Sequence, residues 1–335
     1  MIPGFNYQIT QLQNYQILLN GVLIIDKPSG LTSHDVVNRA RRILGQRSVG
    51  HLGTLDPMAT GVLPLVVGSF TRLAQFYLQS EKAYEGTIRF GFSTDTYDAE
   101  GEPTRTPTSV ELSREAVESL AGKFRGLISQ TPPPFSAKKI KGVPAYKLAR
   151  KQQEVALQPV EVEIKELKIL SVDADRVRFR ARVTSGTYMR SVAHDMGEAL
   201  DCGAHLESLR RTSVAEFTLA DAHTVDELQQ SKSSTQNCHP DRNWDLLQGE
   251  PSGVEGPRVG AEALFIHPRK LLPHLPSVTA DEMATAHIRS GRPVNLPELS
   301  RARQVKVFSG QRDLIAIATR VAGTLFHPKI VLCGS

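Results

Sequence analysis

The chain of 335 residues contains little cysteine and no recognisable set of metal ligands. Its three cysteines, Cys202, Cys238 and Cys333, lie far apart, form no CxxC pair and are joined by no histidines at zinc-ligand spacing. An odd number of widely separated thiols indicates a reducing compartment rather than a disulfide-bonded scaffold. The sequence therefore predicts neither a zinc site nor a disulfide framework.

Long hydrophobic runs and nucleotide-binding loops are also missing. No segment approaches the ~20 apolar residues that a membrane-spanning helix needs, and the N-terminal segment lacks the basic and apolar regions of a signal peptide. Neither GxxxxGK[ST] nor a clear GxGxxG occurs. We expect a cytoplasmic protein that has no membrane anchor and binds no nucleotide cofactor.

The composition is that of a globular protein, with 40% hydrophobic residues, 22% charged residues and a net charge of +5. This mild basic excess is compatible with a polyanionic partner but does not require one. The length favours two domains over one. Between residues 229 and 260 the chain becomes rich in Gly, Ser, Pro and Asn, which predicts a linker or insertion. We therefore expect domains at 1–228 and 261–335, separated by this segment.

Strand and helix patterns do not alternate regularly along the chain. The segment LTSHDVVNRARRILGQ has helical periodicity, with Ser33 as the expected N-cap and Gly45 as the C-terminal stop. In DRVRFRARVTSG, arginines alternate with apolar residues, which predicts a strand with one buried face and one basic row. Strands that occur in runs, with helices between the runs, favour an α+β fold with a largely antiparallel sheet. Short strands with turn signals after residue 260 predict a small β-rich domain.

One carboxylate stands out in GHLGTLDPMATGVLPL. Asp56 precedes a proline, which favours an extended backbone, and it lies between Gly53 and Gly61, which predict a tight loop. An Asp in such a loop commonly caps the next turn. The alternative is a catalytic role for Asp56. A hydrolytic glycosidase would need a second carboxylate, and this stretch has none. A lone carboxylate fits a reaction with a covalent intermediate and no external water.

The stretch around Asp56 closely resembles the catalytic motif of the TruB family of tRNA pseudouridine synthases. Four further segments resemble the family's other motifs, in order along residues 20–220: GVLIIDKPSGLTSHDVV, KAYEGTIRFGFSTDTYDAEG, PPPFSAKKIKGVPAYKLAR and SGTYMRSVAHDMGEALDCGAHLESLRRT. The resemblance implies the pseudouridine synthase fold, which is α+β with a mixed, largely antiparallel central sheet flanked by helices. It also implies, more weakly, a small β-rich PUA-like RNA-binding domain at the C-terminus.

The activity implied by the resemblance is the isomerisation of uridine to pseudouridine in the T-loop of tRNA. The target base is flipped out, its N-glycosidic bond breaks, and its C5 atom bonds to the sugar. Such an isomerisation requires no water, metal or other cofactor, and we expect none. By resemblance, Asp56 is the essential carboxylate. Arg190 pairs with it and would hold its pKa below the ordinary value. Tyr84 stacks on the uracil and takes part in removing the C5 proton.

The resemblance also implies residues that bind the RNA. Tyr188 and Leu209 contact the base, and His51 enters the space that the flipped nucleotide leaves in the loop. Several basic residues are candidates for phosphate contacts: Lys27, Lys138, Lys139, Arg210 and Arg211. Asp95 and Asp98 do not have the spacing of an EF-hand, so we expect them to form turns.

Three alternatives remain open from the sequence. The first is the archaeal and eukaryotic relative that works with a guide RNA, the second is an RNA chaperone without chemistry, and the third is a nucleoside hydrolase. The expected partner is the T-stem-loop of tRNA, without a guide RNA, and the expected form is a monomer.

Overall fold

A computed structural model describes residues 18–136, 138–140, 142–145, 157–236, 260–297 and 301–332. In its first half, the strands are β1 (Gly21–Lys27), β2 (Val49–His51), β3 (Thr60–Val67), β4 (Lys82–Phe90), β5 (Gly126–Gln130), β6 (Lys139–Ile140), β7 (Val143–Pro144), β8 (Val160–Asp173), β9 (Arg176–Val183), β10 (Ala204–Val214) and β11 (Phe217–Thr218). The helices of this half are α1 (Ser33–Leu44), α2 (Ala74–Tyr77), α3 (Arg114–Lys123), α4 (Met189–Glu198) and α5 (Val225–Gln236).

These strands form a central sheet of nine strands in the order β1-β3-β10-β4-β9-β8-β5, with β2 paired to β3 and β11 paired to β10. Among its pairings only β3 with β10 is parallel. Helix α4 packs on β10 and α3 packs on β8. The predicted α+β fold with a mixed, largely antiparallel sheet is therefore confirmed.

Strand β9 shows why the alternating sequence folds in this way. Its apolar side chains are buried and its arginines are exposed. The exposed row is not a free basic surface, because Arg180 pairs with Glu85 at 2.7 Å and Arg182 pairs with Glu81 at 3.4 Å. The neighbouring strand and its flanking residue thus supply the counter-charges that the strand's own sequence does not reveal.

The N-cap of helix α1 lies one residue earlier than the sequence predicted. Thr32 is the N-cap: its side chain accepts the N–H of Asp35, whose carboxylate accepts the N–H of Thr32. Ser33 is buried instead, and its Oγ bonds both backbone groups of Leu55 at 2.8 and 3.1 Å. The helix ends at Gly45, as predicted, with φ at 65°. Through its two hydrogen bonds to Leu55, Ser33 holds the loop that carries Asp56.

The second half contains β12 (Ser277–Ala280), α6 (Glu282–Arg289), β13 (Val294–Asn295), β14 (Gln304–Ser309), β15 (Asp313–Ala322) and β16 (Leu325–Val331). Its strands form a second sheet in the order β12-β14-β15-β16-β13. Helix α5 continues past residue 228 to Gln236, so the first part of the predicted linker is helical. The rest of that segment, residues 237–259, lies outside the described residues.

The two halves share a hydrophobic core. Val22 and Phe70 of the first half lie in one apolar cluster with Phe308 and Ile317 of the second. Hydrogen bonds cross the same boundary, including Ser69 Oγ to the carbonyl oxygen of Leu332 at 2.6 Å. The C-terminal domain is therefore packed onto the first half rather than tethered to it. In the described ranges, no helix is long and apolar enough to cross a membrane.

Candidate active site

The loop between β2 and β3 carries Asp56 to the wall of a cavity of about 320 Å³. The C-terminal end of this loop is fixed by Gly61, whose φ is 101°. A Cβ at Gly61 would lie 2.2 Å from the backbone oxygen of Arg211, so only glycine fits between β3 and β10 there. With Ser33 holding Leu55, both sides of the carboxylate are anchored to regular structure.

Arg190 lies in the first turn of α4, and its side chain is only 5% exposed. Its Nη2 donates to Asp56 Oδ1 at 3.0 Å, and its Nε lies 2.9 Å from Oδ2 without hydrogen-bond alignment. Its Nη1 also donates to the backbone oxygen of Thr96 at 3.0 Å, and its Nη2 to that of Phe135 at 2.9 Å. A guanidinium held at so many points keeps the carboxylate in one orientation.

The electrostatic balance at Asp56 differs from the sequence-based expectation. Burial raises the pKa of its carboxyl, and Asp98 adds to this, while Arg190 and Lys27 lower it. The expected lowering by Arg190 is present, but the expected net direction is wrong because the loss of hydration is the larger effect. The side chain is 33% exposed, on the side of the cavity. The result is a fixed, poorly hydrated carboxylate that faces the space a substrate would fill.

Asp98 is a second carboxylate on Arg190 that the sequence analysis missed. It is buried, and its Oδ2 lies 3.5 Å from Arg190 Nη1. Its Oδ1 accepts Thr96 Oγ1 at 2.6 Å and the N–H of Glu100 at 3.1 Å, so the predicted turn is real. The turn prediction fitted the local pattern, but the burial and the contact with α4 depend on the tertiary fold.

Three of the predicted base-contacting residues line the same cavity as Asp56. Tyr84 comes from β4 and is 8% exposed, Leu209 comes from β10 and is 8% exposed, and Tyr188 precedes α4. Tyr188 is held by buried Gln130, which exchanges hydrogen bonds with its backbone N–H and carbonyl oxygen at 2.8 and 3.1 Å. Two aromatic rings and an aliphatic side chain thus stand around one ionised pair.

His51 ends β2, just before the loop that carries Asp56, and does not belong to the residues that line the cavity. Burial, together with nearby Arg211 and His34, lowers the pKa of its imidazole, so the ring is neutral at pH 7. A neutral ring is compatible with insertion among stacked bases. Its predicted role in the RNA loop stays a prediction.

Two of the predicted phosphate contacts are wrong, because the side chains are buried. Lys27 is 0% exposed, and its Nζ donates to the backbone oxygens of Pro28, Leu31 and Pro57 at 2.9, 2.6 and 3.1 Å. Arg211 is 1% exposed and donates to three backbone oxygens, one in β3 and two in the loop that carries Asp56. Both cations hold the chain around Asp56 and have no surface for a phosphate.

The other predicted phosphate contacts have different outcomes. Arg210 is partly exposed and pairs with Asp26 at 2.7 Å. Lys138 is exposed, and the side chain of Lys139 lies outside the described part of the structure. Another cation, Lys82, lines the cavity and was not predicted. Within the described ranges, no group of three or more His, Cys, Asp or Glu side chains could hold a metal ion.

Comparison with solved structures gives the class of protein that this fold defines. A Cbf5–Nop10–Gar1 complex matches with a TM-score of 0.65 and 24% identity, over 94% of this chain and 85% of that one. A structure of an H/ACA RNP bound to a substrate RNA containing 2'-deoxyuridine matches with a TM-score of 0.64 and 22% identity, over 93% and 85%. The fold is that of the pseudouridine synthases.

Comparison of sequences gives the family. The model of the TruB family pseudouridylate synthase N-terminal domain matches residues 41–189, and that of the tRNA pseudouridylate synthase B C-terminal domain matches residues 190–248. The tRNA pseudouridine synthase B of Solibacter usitatus is 46% identical over 94% of this chain and 100% of that protein. The one from Burkholderia lata is 38% identical over 94% and 91%. The chain belongs to the TruB family and is an isomerase, a pseudouridine synthase.

Proposed function

We propose that this enzyme converts uridine to pseudouridine in the T-loop of tRNA. The observation that carries the proposal is the pairing of Asp56 with Arg190, at 3.0 Å, on the wall of a cavity that Tyr84 and Leu209 also line. The names of the similar proteins from Solibacter usitatus and Burkholderia lata support tRNA as the substrate. A target base inside a stacked loop must leave its stack to reach such a cavity.

The geometry suggests a division of roles. Tyr84, Tyr188 and Leu209 hold the uracil by stacking and apolar contact, which allows the base to turn after its bond to the sugar breaks. Asp56 acts on the sugar as an ionised carboxylate, either by attack on C1' or by removal of the C2' proton. Arg190 keeps its oxygens aimed into the cavity in either case. Tyr84 also takes part in removing the C5 proton.

All of these side chains come from one chain, so we propose that a monomer is competent, without a guide RNA or cofactor, in the cytoplasm. The second sheet offers exposed Arg303, His327 and Lys329 around an open groove. The two cations of this groove, Arg303 and Lys329, support the proposal that the C-terminal domain is PUA-like and contacts RNA phosphates.

The test is to incubate the purified chain with an unmodified tRNA transcript and with a T-stem-loop fragment, without guide RNA. Pseudouridine is mapped by chemical adduct formation and primer extension. Asp56→Asn should bind both RNAs and form no product, while the matched variant Asp95→Asn, which changes an exposed turn, should remain active. Modification outside the T-loop, dependence on a guide RNA, or turnover by a deamidation-free Asp56→Asn variant would contradict the proposal.

A further inference from the structure

Lys82 is a cation of the cavity wall to which no role has been assigned so far. It is the first residue of β4, and Tyr84 lies two residues further on the same strand. Because side chains alternate along a strand, the two share one face of the sheet. Both line the cavity that Asp56 faces. The preceding residue, Glu81, points to the other face, where it pairs with Lys165 and Arg182.

Among the described residues, no carboxylate compensates the charge of Lys82. Its Nζ donates to the backbone oxygen of Ser80 at 2.6 Å, and in the described part of the chain no carboxylate forms an ion pair with it. A charged neighbour that lowers its pKa is another cation, Arg211. Burial and this neighbour lower the pKa of Lys82 to about 8. A half-buried cation beside a second cation opposes folding, so an external anion is the natural partner.

The other cations that line the cavity, Arg190 and Arg211, are 4% and 1% exposed, so neither presents a donor to such an anion. Arg190 bonds Asp56 and two backbone oxygens, and Arg211 bonds three backbone oxygens. An ammonium group has three protons, and the structure commits one proton of Lys82 to Ser80. Lys82 is therefore the cation of this wall that presents donors to a ligand.

The position of Lys82 fits the backbone of a flipped nucleotide rather than its base. Leu78, which lines the same cavity, is 71% exposed, so the cavity opens to solvent beside it, and Lys82 is itself partly exposed. Tyr84 and Leu209 are 8% exposed and lie deeper. When a base enters the cavity, its phosphate remains at the mouth because the phosphate is charged and joined to the rest of the RNA. The Cε of Lys82 lies 3.9 Å from the position that a Cβ would take at Gly53, so Lys82 also packs against the loop that carries Asp56.

We propose that Lys82 binds a backbone phosphate of the flipped nucleotide at the mouth of the cavity. This inference rests on the proposed function and adds a substrate-binding residue to it. A phosphate there would supply the counter-charge that the fold lacks and would fix the sugar above Asp56. The interaction is present whenever RNA is bound, so it contributes to binding more than to the chemical step.

The experiment compares Lys82→Met with Lys82→Arg in the full-length chain. Binding of a T-stem-loop RNA is measured in an Asp56→Asn background between 50 and 200 mM salt, and kcat and KM are measured with Asp56 intact. The loss of one phosphate contact should reduce the slope of log K against log salt by about 0.7–1. For Lys82→Met, Kd and KM should rise roughly tenfold, with kcat within about threefold. Lys82→Arg should keep the slope of the parent protein. Lys123→Met, an exposed lysine on α3 outside the cavity, should change neither quantity.

An unchanged salt slope in folded Lys82→Met would overturn the proposal, as would a fall in kcat with an unchanged Kd. A loss of slope in Lys82→Arg equal to that in Lys82→Met would do the same, because arginine also binds phosphate. If Lys82→Met does not fold, Lys82→Gln is measured in its place against the same criteria. If the wild-type enzyme forms no pseudouridine in this RNA, the proposed function fails, and the salt slopes still decide whether Lys82 meets a phosphate.

Discussion

Replacing Lys27 by Met should destabilise the fold and displace the loop that carries Asp56. It should not remove a phosphate contact. The methionine keeps the length and apolar stem of the side chain but removes the ammonium group. Three backbone oxygens then lose the ammonium as a donor, those of Pro28, Leu31 and Pro57, of which Pro57 keeps the N–H of Gly30 at 2.9 Å. Pro57 directly follows Asp56, so the loss occurs beside the carboxylate that is proposed to react.

The expected magnitude follows from two opposing effects. The carbonyl oxygens of Pro28 and Leu31 lose the hydrogen-bond partner that the structure gives them, which costs about 1–3 kcal/mol each. In the other direction, the pKa of Lys27 is lowered from 10.5 to about 8 by burial, so removing the charge returns about 3 kcal/mol. The lost hydrogen bonds outweigh this gain slightly, and we expect the free energy of unfolding to fall by about 1–2 kcal/mol. A shift of the loop by a fraction of an ångström should also lower kcat.

Denaturant unfolding gives the stability, single-turnover kinetics gives the rate of the chemical step, and a salt titration of RNA binding gives the number of phosphate contacts. For folded Lys27→Met the salt slope should equal that of the wild type. The opposite pattern, a slope lower by about 0.7 with unfolding free energy unchanged, would show that Lys27 meets a phosphate after all and would refute the structural role.

Asp98→Asn removes the charge 3.5 Å from Arg190 Nη1, so kcat should fall roughly 10–100-fold while Kd for RNA stays within about threefold; single-turnover and binding measurements check this. Because burial raises the pKa of Asp56, the ionised form should be lost at a higher pH than for an ordinary aspartate. The acid limb of kcat against pH should therefore lie above pH 3.8, and in Asp98→Asn it should move to lower pH; a limb at or below 3.8 in the wild type contradicts this. Truncation after Gln236 exposes the core that Phe308 shares with the first half, so the fragment should bind a hydrophobic dye and lose cooperative unfolding; a folded, active fragment would show that the shared core is dispensable.

The sequence predicted the central sheet because local patterns determine which residues of a strand are buried. Val177 and Phe179 alternate with arginines, and the structure buries the first set and exposes the second. It could not predict that Glu81 and Glu85 neutralise those arginines, because this depends on the register between strands that are far apart in the chain. The apparent basic row is therefore mostly a ladder of ion pairs.

The candidate site was predicted where motifs carried the signal. Asp56, Tyr84, Tyr188, Arg190 and Leu209 come from three of the quoted motif segments, and the structure brings all five to one cavity. Their roles in the reaction remain predictions. The motif at Asp98 had been interpreted as a turn, which it is, but the side chain is also buried against Arg190. Local spacing could not show that second contact, because α4 lies about ninety residues away, as the pairing of Arg190 Nη1 with Thr96 shows.

Basic residues were the hardest to interpret because a cation's role depends on the acceptors around it. Lys27 and Arg211 were expected on the RNA-binding surface, yet backbone oxygens take up their donors. Backbone oxygens satisfy the hydrogen-bond donors of these side chains but do not cancel their charge. Both cations therefore add positive potential behind Asp56. That potential favours an ionised carboxylate and attracts a polyanion at the same time. Among the described residues that line the cavity, Lys82 is the cation that is not buried. We therefore expect the buried pair to attract the RNA and Lys82 to bind its backbone at the mouth of the cavity.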